Sequence, residues 1–379
     1  MIEQYHWIGS TDALNQACQR WQHAKVLAMD TEFVRTETFF ARLGLIQVGL
    51  EGEVWLIDPL AIDDWRVFAA VLEEPSIIKI FHSLSEDAEV LFNGTGAQVA
   101  PVFDTQIAAA MLGNDLQMGF ARAVEAELGE VLPKDVTRSN WLLRPLGEVQ
   151  CQYAAADVFW LEQLYQCYAP RLQALNRFDW VLEDSQRAAL GSFPPEPEVY
   201  YLKLRGAWKL KGHRLYCLQQ LAQWRERQAR EQDVNRSRIL SDAEVIQIAL
   251  AMPTQHSAFA GLKGLHPRKV RLYAEPVVEL VRQCHDAGRE LWPERLAGPL
   301  PADQVPLYNS VKKLIGDVAQ QASVPAEVLA RRKPLEQLVR SGGYTGQYQW
   351  PDMMTGWRKP LIIEPLTRLL EEHHHEADD

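Results

Sequence analysis

The first half of the chain alternates short apolar runs with segments of helical periodicity. The runs VLAMDTEF (26–33), LGLIQVGL (43–50) and EVWLID (53–58) predict strands, and the Glu-Gly pair between the last two predicts a hairpin. Strands that come first and alternate with helices later predict a mixed α/β domain. We predict further strands at 76–81 and 98–105 and helices at 63–72, 85–92, 105–112, 118–130, 146–168 and 170–190.

The second half contains only helical periodicity, and it repeats itself. A Pro-rich connector at 191–201 separates it from the first half. Residues 234–249 resemble 324–339, and 266–283 resemble 356–372, which predicts two tandem helical modules. We therefore expect three domains, at 1–192, 203–290 and 300–375, with 291–306 as the linker between the modules.

Composition restricts the class of protein. The chain has 379 residues, of which 47% are hydrophobic and 23% charged, as in ordinary globular proteins. Its five cysteines form no CxxC pair, which is typical of reduced thiols in the cytoplasm. The N-terminus lacks the basic head and apolar run of a signal peptide, and no apolar stretch is long enough to span a membrane. We expect a cytoplasmic protein with no membrane association.

Charge is unevenly distributed along the chain. The net charge of −11 argues against a protein whose whole surface binds nucleic acid. Between Lys203 and Arg238, however, ten Lys or Arg residues accompany only three acidic residues. This stretch has two interpretations, an electrostatic footprint for phosphates or a solvated helix face.

The sequence contains no Walker A, GxSxG or HExxH pattern, so the candidate catalytic residues lie in three acidic segments. Asp30 and Glu32 share one face of a strand, roughly 7 Å apart. Asp87 falls on the apolar stripe of a helix between Leu84 and Leu91. A third pair, one turn apart on an Ala-rich helix, is Tyr153 and Asp157.

Each acidic feature also has a purely structural interpretation. Asp30 and Glu32 could lie on the exposed face of an edge strand, Asp87 could stabilise the helix dipole or cap the helix, and Tyr153 and Asp157 could simply pack. Together, four carboxylates suit two divalent cations, Mg²⁺ or Mn²⁺, which prefer oxygen ligands. Two such ions, about 4 Å apart, catalyse in-line attack on a phosphodiester. A tyrosine is a poor base at neutral pH but orients a water molecule well.

Five segments in this order resemble the motifs of the DEDD superfamily of 3′→5′ exonucleases, in the subclass with tyrosine in the third motif: VLAMDTEF, FHSLSEDAEVL, FDTQIAAAML, RSNWLLRPL and YAAADV. The resemblance implies a ribonuclease H-like fold. It implies that Asp30, Glu32, Asp87 and Asp157 are ligands of two metal ions and that Tyr153 positions the nucleophilic water.

The C-terminal half resembles two HRDC modules, which implies nucleic-acid binding. The whole resemblance implies an exoribonuclease that releases 5′-mononucleotides from an accessible single-stranded RNA 3′ end, with tRNA precursors and other small RNAs as substrates. We expect a monomer without a nucleotide cofactor. A DNA exonuclease of the same superfamily and a non-catalytic RNA-binding scaffold stay open as alternatives, whereas the missing nucleotide-binding loop disfavours a helicase.

Other residues are predicted to support the site or to bind substrate. We expect Asp104 to cap a helix, and Trp141 and Arg144 either to shape the wall of the site or to pack in the core. The candidate substrate-binding residues flank the acidic motifs or lie in the basic half of the chain; they are Thr31, Phe33, His82, Leu84, Lys209, Lys211, Arg268 and Lys269.

Overall fold

A computed structural model of the protein describes residues 4–132 and 139–378. The chain divides into two compact units. The first consists of Met1–Val34, Arg42–Phe193 and Leu300–Asp379, and the second of Arg35–Ala41 and Pro194–Pro299. Among the described residues, no helix is long and apolar enough to cross a lipid bilayer.

A six-stranded mixed sheet forms the centre of the first unit. Its order is β1-β4-β3-β2-β5-β6, with β3 antiparallel to both of its neighbours and the other pairs parallel. The predicted hairpin joins β3 to β4, and Glu51 and Gly52 in its turn both have positive φ. The strands are β1 (His6–Ile8), β2 (Val26–Val34), β3 (Arg42–Leu50), β4 (Glu53–Ile57), β5 (Ile78–Phe81) and β6 (Val102–Asp104).

Helices cover both faces of this sheet, which confirms the mixed α/β prediction. Alternation along β2 sends Ala28 into one core, with Ala154 and Val158, and Leu27 and Met29 into the other. The helices are α1 (Thr11–Trp21), α2 (Arg66–Glu73), α3 (Ser85–Thr95), α4 (Thr105–Met111), α5 (Phe120–Leu128), α6 (Glu148–Ala174) and α7 (Phe178–Gly191).

Two parts of this unit differ from the sequence-based prediction. No element was predicted before residue 26, yet β1 and α1 lie there. The predicted helix end at 168 is wrong, because α6 runs through Pro170 to Ala174. Proline removes one helical hydrogen bond, and burial of Tyr168 and Leu172 on either side of it holds the helix together.

The second unit is helical around a core of its own. It contains α8 (His213–Glu231), α9 (Arg236–Ile239), α10 (Asp242–Ala251), α11 (His256–Ala260) and α12 (Pro267–Asp286). Residues 35–41, which follow β2 directly, belong to this unit. Phe39 is buried in its core, and the Phe39 and Phe40 N–H groups donate to Asp233 Oδ1 at 3.1 and 3.0 Å.

The internal repeat is visible in the order of helices. In the first unit, α13 (Val305–Ala322), α14 (Ala326–Leu329), α15 (Arg332–Gly342) and α16 (Lys359–Asp378) repeat the sequence of long, single-turn, medium and long helices seen in α8, α9, α10 and α12. Between these elements, the described residues also form short 3₁₀ helices at Pro59–Ala61, Pro197–Lys203, Ala207–Lys209, Arg289–Leu291, Ala302–Gln304, Asp352–Met354 and Gly356–Arg358.

The C-terminal repeat packs against α7 within the first unit. Arg358 is 4% exposed and donates to both carboxylate oxygens of Asp184, at 2.7 and 2.6 Å. The rings of Trp357 and Trp180 stack with their centroids 4.4 Å apart. Arg358 is the repeat equivalent of Arg268, which is exposed, so the two modules use the same position differently.

Candidate active site

Strand β2 presents Asp30 and Glu32 on the face that α6 covers. Oxygen atoms of Asp30, Glu32 and Asp157 all lie within 4.8 Å of one another. Alternation along β2 places Asp30 and Glu32 on the same face of the strand, and α6 places Asp157 next to them. The result is a three-carboxylate cluster with the hard oxygen ligands that divalent cations prefer.

Small residues allow α6 to approach the sheet closely enough for Asp157 to join this cluster. Ala154 and Ala155 are fully buried. A Cβ atom on Gly49 of β3 would lie 3.1 Å from the Val158 carbonyl oxygen, so a larger residue there would push α6 away. Tyr153 lies one turn before Asp157 on α6, close enough for the Asp157 charge to raise the pKa of the phenol.

Asp87 lies at the start of α3 and is buried. The Thr31 hydroxyl donates to Asp87 Oδ1 at 2.5 Å, which ties the helix to β2 between the two acidic residues. Asp104 accepts hydrogen bonds from the backbone N–H groups of Ser83, Leu84 and Gln106, which confirms its predicted capping role. One carboxylate therefore fixes the entry to both α3 and α4.

Burial and mutual repulsion raise the pKa values of these acids. Burial, followed by the charge of Asp157, raises the pKa of Asp30 to about 8. Burial and then Asp30 raise the pKa of Glu32 to about 9, and burial raises the pKa of Asp157 to about 7. Burial and Asp30 also raise the pKa of Asp87. Without a cation the cluster holds protons at neutral pH, and a divalent cation would replace them.

Trp141 and Arg144 of the segment RSNWLLRPL, whose first residue lies outside the described residues, contact a bulge beside the acidic residues. Strand register shifts between Glu32 and Phe33 and leaves Gly44 of β3 unpaired. Arg144 Nη2 donates to the Gly44 carbonyl oxygen at 2.7 Å, and its guanidinium also binds Asp58. A Cβ atom on Gly44 would lie 2.7 Å from Trp141 Cβ, so only glycine fits there.

Trp141 is 2% exposed, and its ring lies 6.3 Å from that of Tyr153 between centroids. Trp141 is therefore packed in the core against the tyrosine, and its role in the wall of the site stays a prediction. Sequence reasoning missed the contacts of Gly44 with Arg144 and Trp141. The only signal for them was a glycine inside an apolar strand.

Comparison with known proteins agrees with this geometry. A family described as 3′-5′ exonuclease matches residues 5–173, the HRDC domain family matches 214–281, and the family of the ribonuclease D C-terminal HRDC domain matches 306–366. Ribonuclease D of Pseudomonas paraeruginosa (strain DSM 24068 / PA7) is 38% identical over 366 residues, which are 96% of this chain and 97% of the relative. Ribonuclease D of Escherichia coli (strain K12) is 35% identical over 374 residues, 97% of this chain and 99% of the relative.

The chain belongs to the ribonuclease D family.

A solved structure supports this assignment at the level of the fold. The crystal structure of Escherichia coli RNase D, described as an exoribonuclease involved in structured RNA processing, superposes with a TM-score of 0.91 at 34% identity. The superposition covers 98% of this chain and 99% of that one. The predicted ribonuclease D-type 3′→5′ exoribonuclease, with its exonuclease fold and helical HRDC domains, is confirmed. As in the superfamily, this activity depends on divalent metal ions.

The substrate-binding candidates near the ribonuclease D motifs differ in exposure. Thr31 is 5% exposed, and Leu84 is fully buried in the core. Phe33 is half-buried. The half-buried His82 makes two hydrogen bonds, between Nδ1 and Thr105 Oγ1 at 2.9 Å and between Nε2 and the Met118 carbonyl oxygen at 3.0 Å.

The candidates in the second unit also differ from one another. Lys209, Lys211 and Arg268 are exposed, and Lys209 Nζ lies 5.6 Å from the Trp208 ring centroid. Lys269 forms an ion pair with Glu244 at 2.7 Å and donates to a backbone carbonyl oxygen, so its charge is already neutralised. Of the four, the three exposed residues have charge available to phosphates.

Proposed function

We propose that Asp30, Glu32, Asp87 and Asp157 hold two divalent metal ions, Mg²⁺ or Mn²⁺, and that Tyr153 orients the attacking water. The observation that carries this proposal is the cluster of three carboxylates within 4.8 Å, whose pKa values are raised by burial and mutual repulsion. Bound metal ions supply Lewis acidity, by which they lower the pKa of a water molecule and stabilise the leaving 3′-oxygen.

Side chains around the cluster orient the attacking water and one of the carboxylates. Burial, then Asp157, raises the pKa of the Tyr153 phenol, so this group stays protonated at neutral pH. Tyr153 therefore acts by hydrogen bonding and not as a base. Its ring lies 6.3 Å from the Trp141 ring between centroids, and this packing limits rotation of the phenol. Thr31 holds the Asp87 carboxylate in one orientation.

We assign catalysis to residues 1–192 and nucleic-acid binding to helical modules at 203–290 and 300–375. The exposed basic side chains support the first module as the RNA-binding one. Within the basic stretch, Lys203, Arg205, Lys209, Lys211 and Arg214 are exposed. Its later arginines are held in ion pairs: Arg225 with Asp242, Arg227 with Glu198, Arg236 with Glu226, and Arg238 with Glu37.

The proposed substrate is RNA with an accessible single-stranded 3′ end, with tRNA precursors as the main class. The description of the Escherichia coli relative as an exoribonuclease involved in structured RNA processing supports this choice. A single strand suits the chemistry, because the terminal nucleotide must leave its stack to reach the acids. We place the enzyme in the cytoplasm and propose that it acts as a monomer.

The decisive experiment replaces Asp30 with Asn and follows trimming of a 3′-tailed RNA in Mg²⁺ by separation of mononucleotide products. Glu86→Gln is the matched control, since Glu86 is an exposed acid next to Asp87 on α3. We expect the Asp30 variant to lose at least 1000-fold in rate and the control to keep full activity. Retained trimming by the Asp30 variant would remove the metal-ligand assignment.

A second assay addresses the substrate. Matched RNA and DNA oligomers with the same 3′ tail are offered to the wild-type protein, and initial rates are compared. We expect RNA to be preferred. An equal or faster rate on DNA would favour the alternative of a DNA exonuclease. Sequencing of RNA 3′ ends with the protein present and absent then tests the assignment of tRNA precursors.

A further inference from the structure

Gln47 of β3 is a buried polar residue that the proposed mechanism does not use. Its side chain is fully buried. Neither its Nε2 nor its Oε1 atom makes a hydrogen bond to any residue that the structure describes. Most buried side-chain polar atoms in folded proteins have a hydrogen-bond partner, because an unpartnered amide destabilises the fold. The presence of this amide in the core therefore requires an explanation.

Strand register places Gln47 beside the acidic cluster. Its antiparallel partner on β2 is Asp30, so the two side chains lie on the same face of the sheet. The Cβ atoms of directly opposed residues are about 4.5–5.5 Å apart, a distance that an amide and a carboxylate bridge easily. The same face is the one that α6 covers. Gln47 thus lies in the layer of the molecule in which Asp30 meets Asp157.

The other side chains around Gln47 on this face are apolar. They come from the neighbouring positions of β3, from the partner position on β4 and from the buried face of α6, and they are Leu45, Gly49, Leu56, Ala154 and Val158. None of these side chains carries a hydrogen-bonding atom. The backbone groups of β2, β3 and β4 pair with one another in the sheet. Asp30 is therefore the polar side chain directly opposite the amide.

We propose that Gln47 is a positioning residue for Asp30. Its amide N–H group donates to the Asp30 carboxylate and fixes the orientation in which that carboxylate holds a divalent cation. The two groups are not hydrogen-bonded in the structure, so the bond forms after rotation of one of the side chains. The proposal rests on the proposed metal-ligand role of Asp30.

Another acid of the proposed ligand set is held in a similar way. The Thr31 hydroxyl donates to Asp87 Oδ1 at 2.5 Å. Carboxylates that bind metal ions are usually hydrogen-bonded by neighbouring side chains, and loss of such a neighbour lowers metal affinity by about 10–100-fold. A hydrogen bond to an ionised carboxylate is also stronger than one between neutral groups. An amide opposite Asp30 is therefore suited to this task.

A positioning role also explains why the core keeps an unpartnered amide. An apolar side chain of the same shape would stabilise the metal-free fold, because no donor or acceptor would then be buried without a partner. Groups that lower stability in this way are expected at functional sites. Replacement of Gln47 should therefore change two properties in opposite directions, with higher stability of the metal-free fold and lower affinity for the cation.

The test is Gln47→Met in the full chain, since methionine is unbranched, apolar and close to glutamine in volume. Mg²⁺ is titrated without RNA, and its binding is measured by calorimetry. We expect the melting temperature in EDTA to rise by about 2–4 °C and the Mg²⁺ affinity to fall by about 10–100-fold. Trimming of a 3′-tailed RNA should slow at limiting Mg²⁺ and recover at saturating Mg²⁺.

Gln304 provides a matched control in the C-terminal repeat. It is 4% exposed, and both of its amide atoms also lack a hydrogen-bond partner among the described residues. Its amide lies against Gly343. Gln304→Met should raise the melting temperature as Gln47→Met does and should leave the Mg²⁺ affinity within 2-fold of wild type. A purely structural role of Gln47 predicts the same result for both variants.

The outcomes separate this proposal from the metal-ligand assignment. If Asp30→Asn loses Mg²⁺ affinity and Gln47→Met keeps it within 2-fold, the positioning role is overturned and the ligand assignment stands. If Asp30→Asn keeps its Mg²⁺ affinity, the ligand assignment fails and the positioning role fails with it. Melting curves in EDTA show whether Gln47→Met is folded, and Gln47→Leu repeats the measurement with a second apolar side chain.

Discussion

Removal of one charge from the acidic cluster should stabilise the metal-free protein while it abolishes activity. In Asp30→Asn the carboxylate that faces Asp157 and Glu32 becomes a neutral amide of nearly the same size. Burial and the charge of Asp157 raise the pKa of Asp30 from 3.8 to about 8. The folded state therefore holds a proton that the unfolded state releases above pH 4, and wild-type stability falls as pH rises from 4 to 8.

The size of this effect follows from the pKa. At about 1.4 kcal/mol for each tenfold change in the ionisation constant, the full shift sets an upper limit of about 6 kcal/mol at pH 8. Glu32 and Asp157 share the same repulsion, and removal of one charge relieves only part of it. We expect the variant to be more stable by about 2–3 kcal/mol at pH 8, and by less than a third of that at pH 5.

The assay is thermal unfolding in EDTA at pH 5 and pH 8, followed by repetition with Mg²⁺. For a unit of this size, about 2–3 kcal/mol corresponds to a rise in melting temperature of about 5–10 °C at pH 8. Mg²⁺ should raise the melting temperature of wild type and leave that of the variant nearly unchanged, because only the intact cluster binds the cation.

Glu86→Gln serves again as control, since it removes an exposed carboxylate from the neighbouring helix and should not change the melting temperature at either pH. The reasoning is refuted if Asp30→Asn and wild type melt together at pH 8 in EDTA. It is also refuted if the variant gains the same stability at pH 5 as at pH 8, because the gain would then not come from ionisation.

Three further predictions concern single contacts. Tyr153→Phe should keep Mg²⁺-dependent stabilisation and lower kcat about 100-fold, because the proposed role of the phenol is to orient water and not to hold metal; an unchanged kcat in single-turnover assays would contradict this role. Thr31→Val removes the hydroxyl that donates to the buried Asp87, at a cost of about 1–3 kcal/mol in stability. This change should lower activity about 10-fold, whereas Thr31→Ser should restore both, as measured by denaturant titration and RNA trimming. Arg358→Met removes the buried guanidinium from Asp184, which keeps only the Trp357 indole N–H and the more distant Arg187, and should destabilise the first unit by about 2–4 kcal/mol. Double replacement with Asp184→Asn should recover much of the stability, and failure to do so in a double-mutant cycle would show that the ion pair contributes little.

Several features were predicted from local sequence because they depend on local geometry. The alternation of a strand places Asp30 and Glu32 on one face wherever the strand lies. The helical repeat similarly places Tyr153 above Asp157, and the i, i+3 spacing from Leu84 turns Asp87 toward the core. The predicted strands, the hairpin at Glu51 and the tandem helical modules follow from the same periodicities.

Other features needed the tertiary structure because they depend on residues distant in the chain. The alternation of side chains along β2 does not determine which face of the strand α6 covers. The packing of α6 on the face that carries Asp30 and Glu32 brings Asp157 close to them. The fit of Trp141 against Gly44 joins residues almost one hundred positions apart. Burial, which raises the pKa values of the acids, is likewise a property of the assembled core.

The two helical modules also show that similar local sequence can have different tertiary surroundings. Similar sequences give Arg268 and Arg358 the same place at the start of a long helix, yet Arg268 is exposed and Arg358 is buried against Asp184. The sequence also did not predict that residues 35–41 belong to the second unit, because Phe39 is an apolar residue next to a strand and nothing local shows which core it enters. Local periodicity determined which side chains share a face of each element, and the long-range packing of those faces decided which of them became an acidic cluster, a buried ion pair or part of another core.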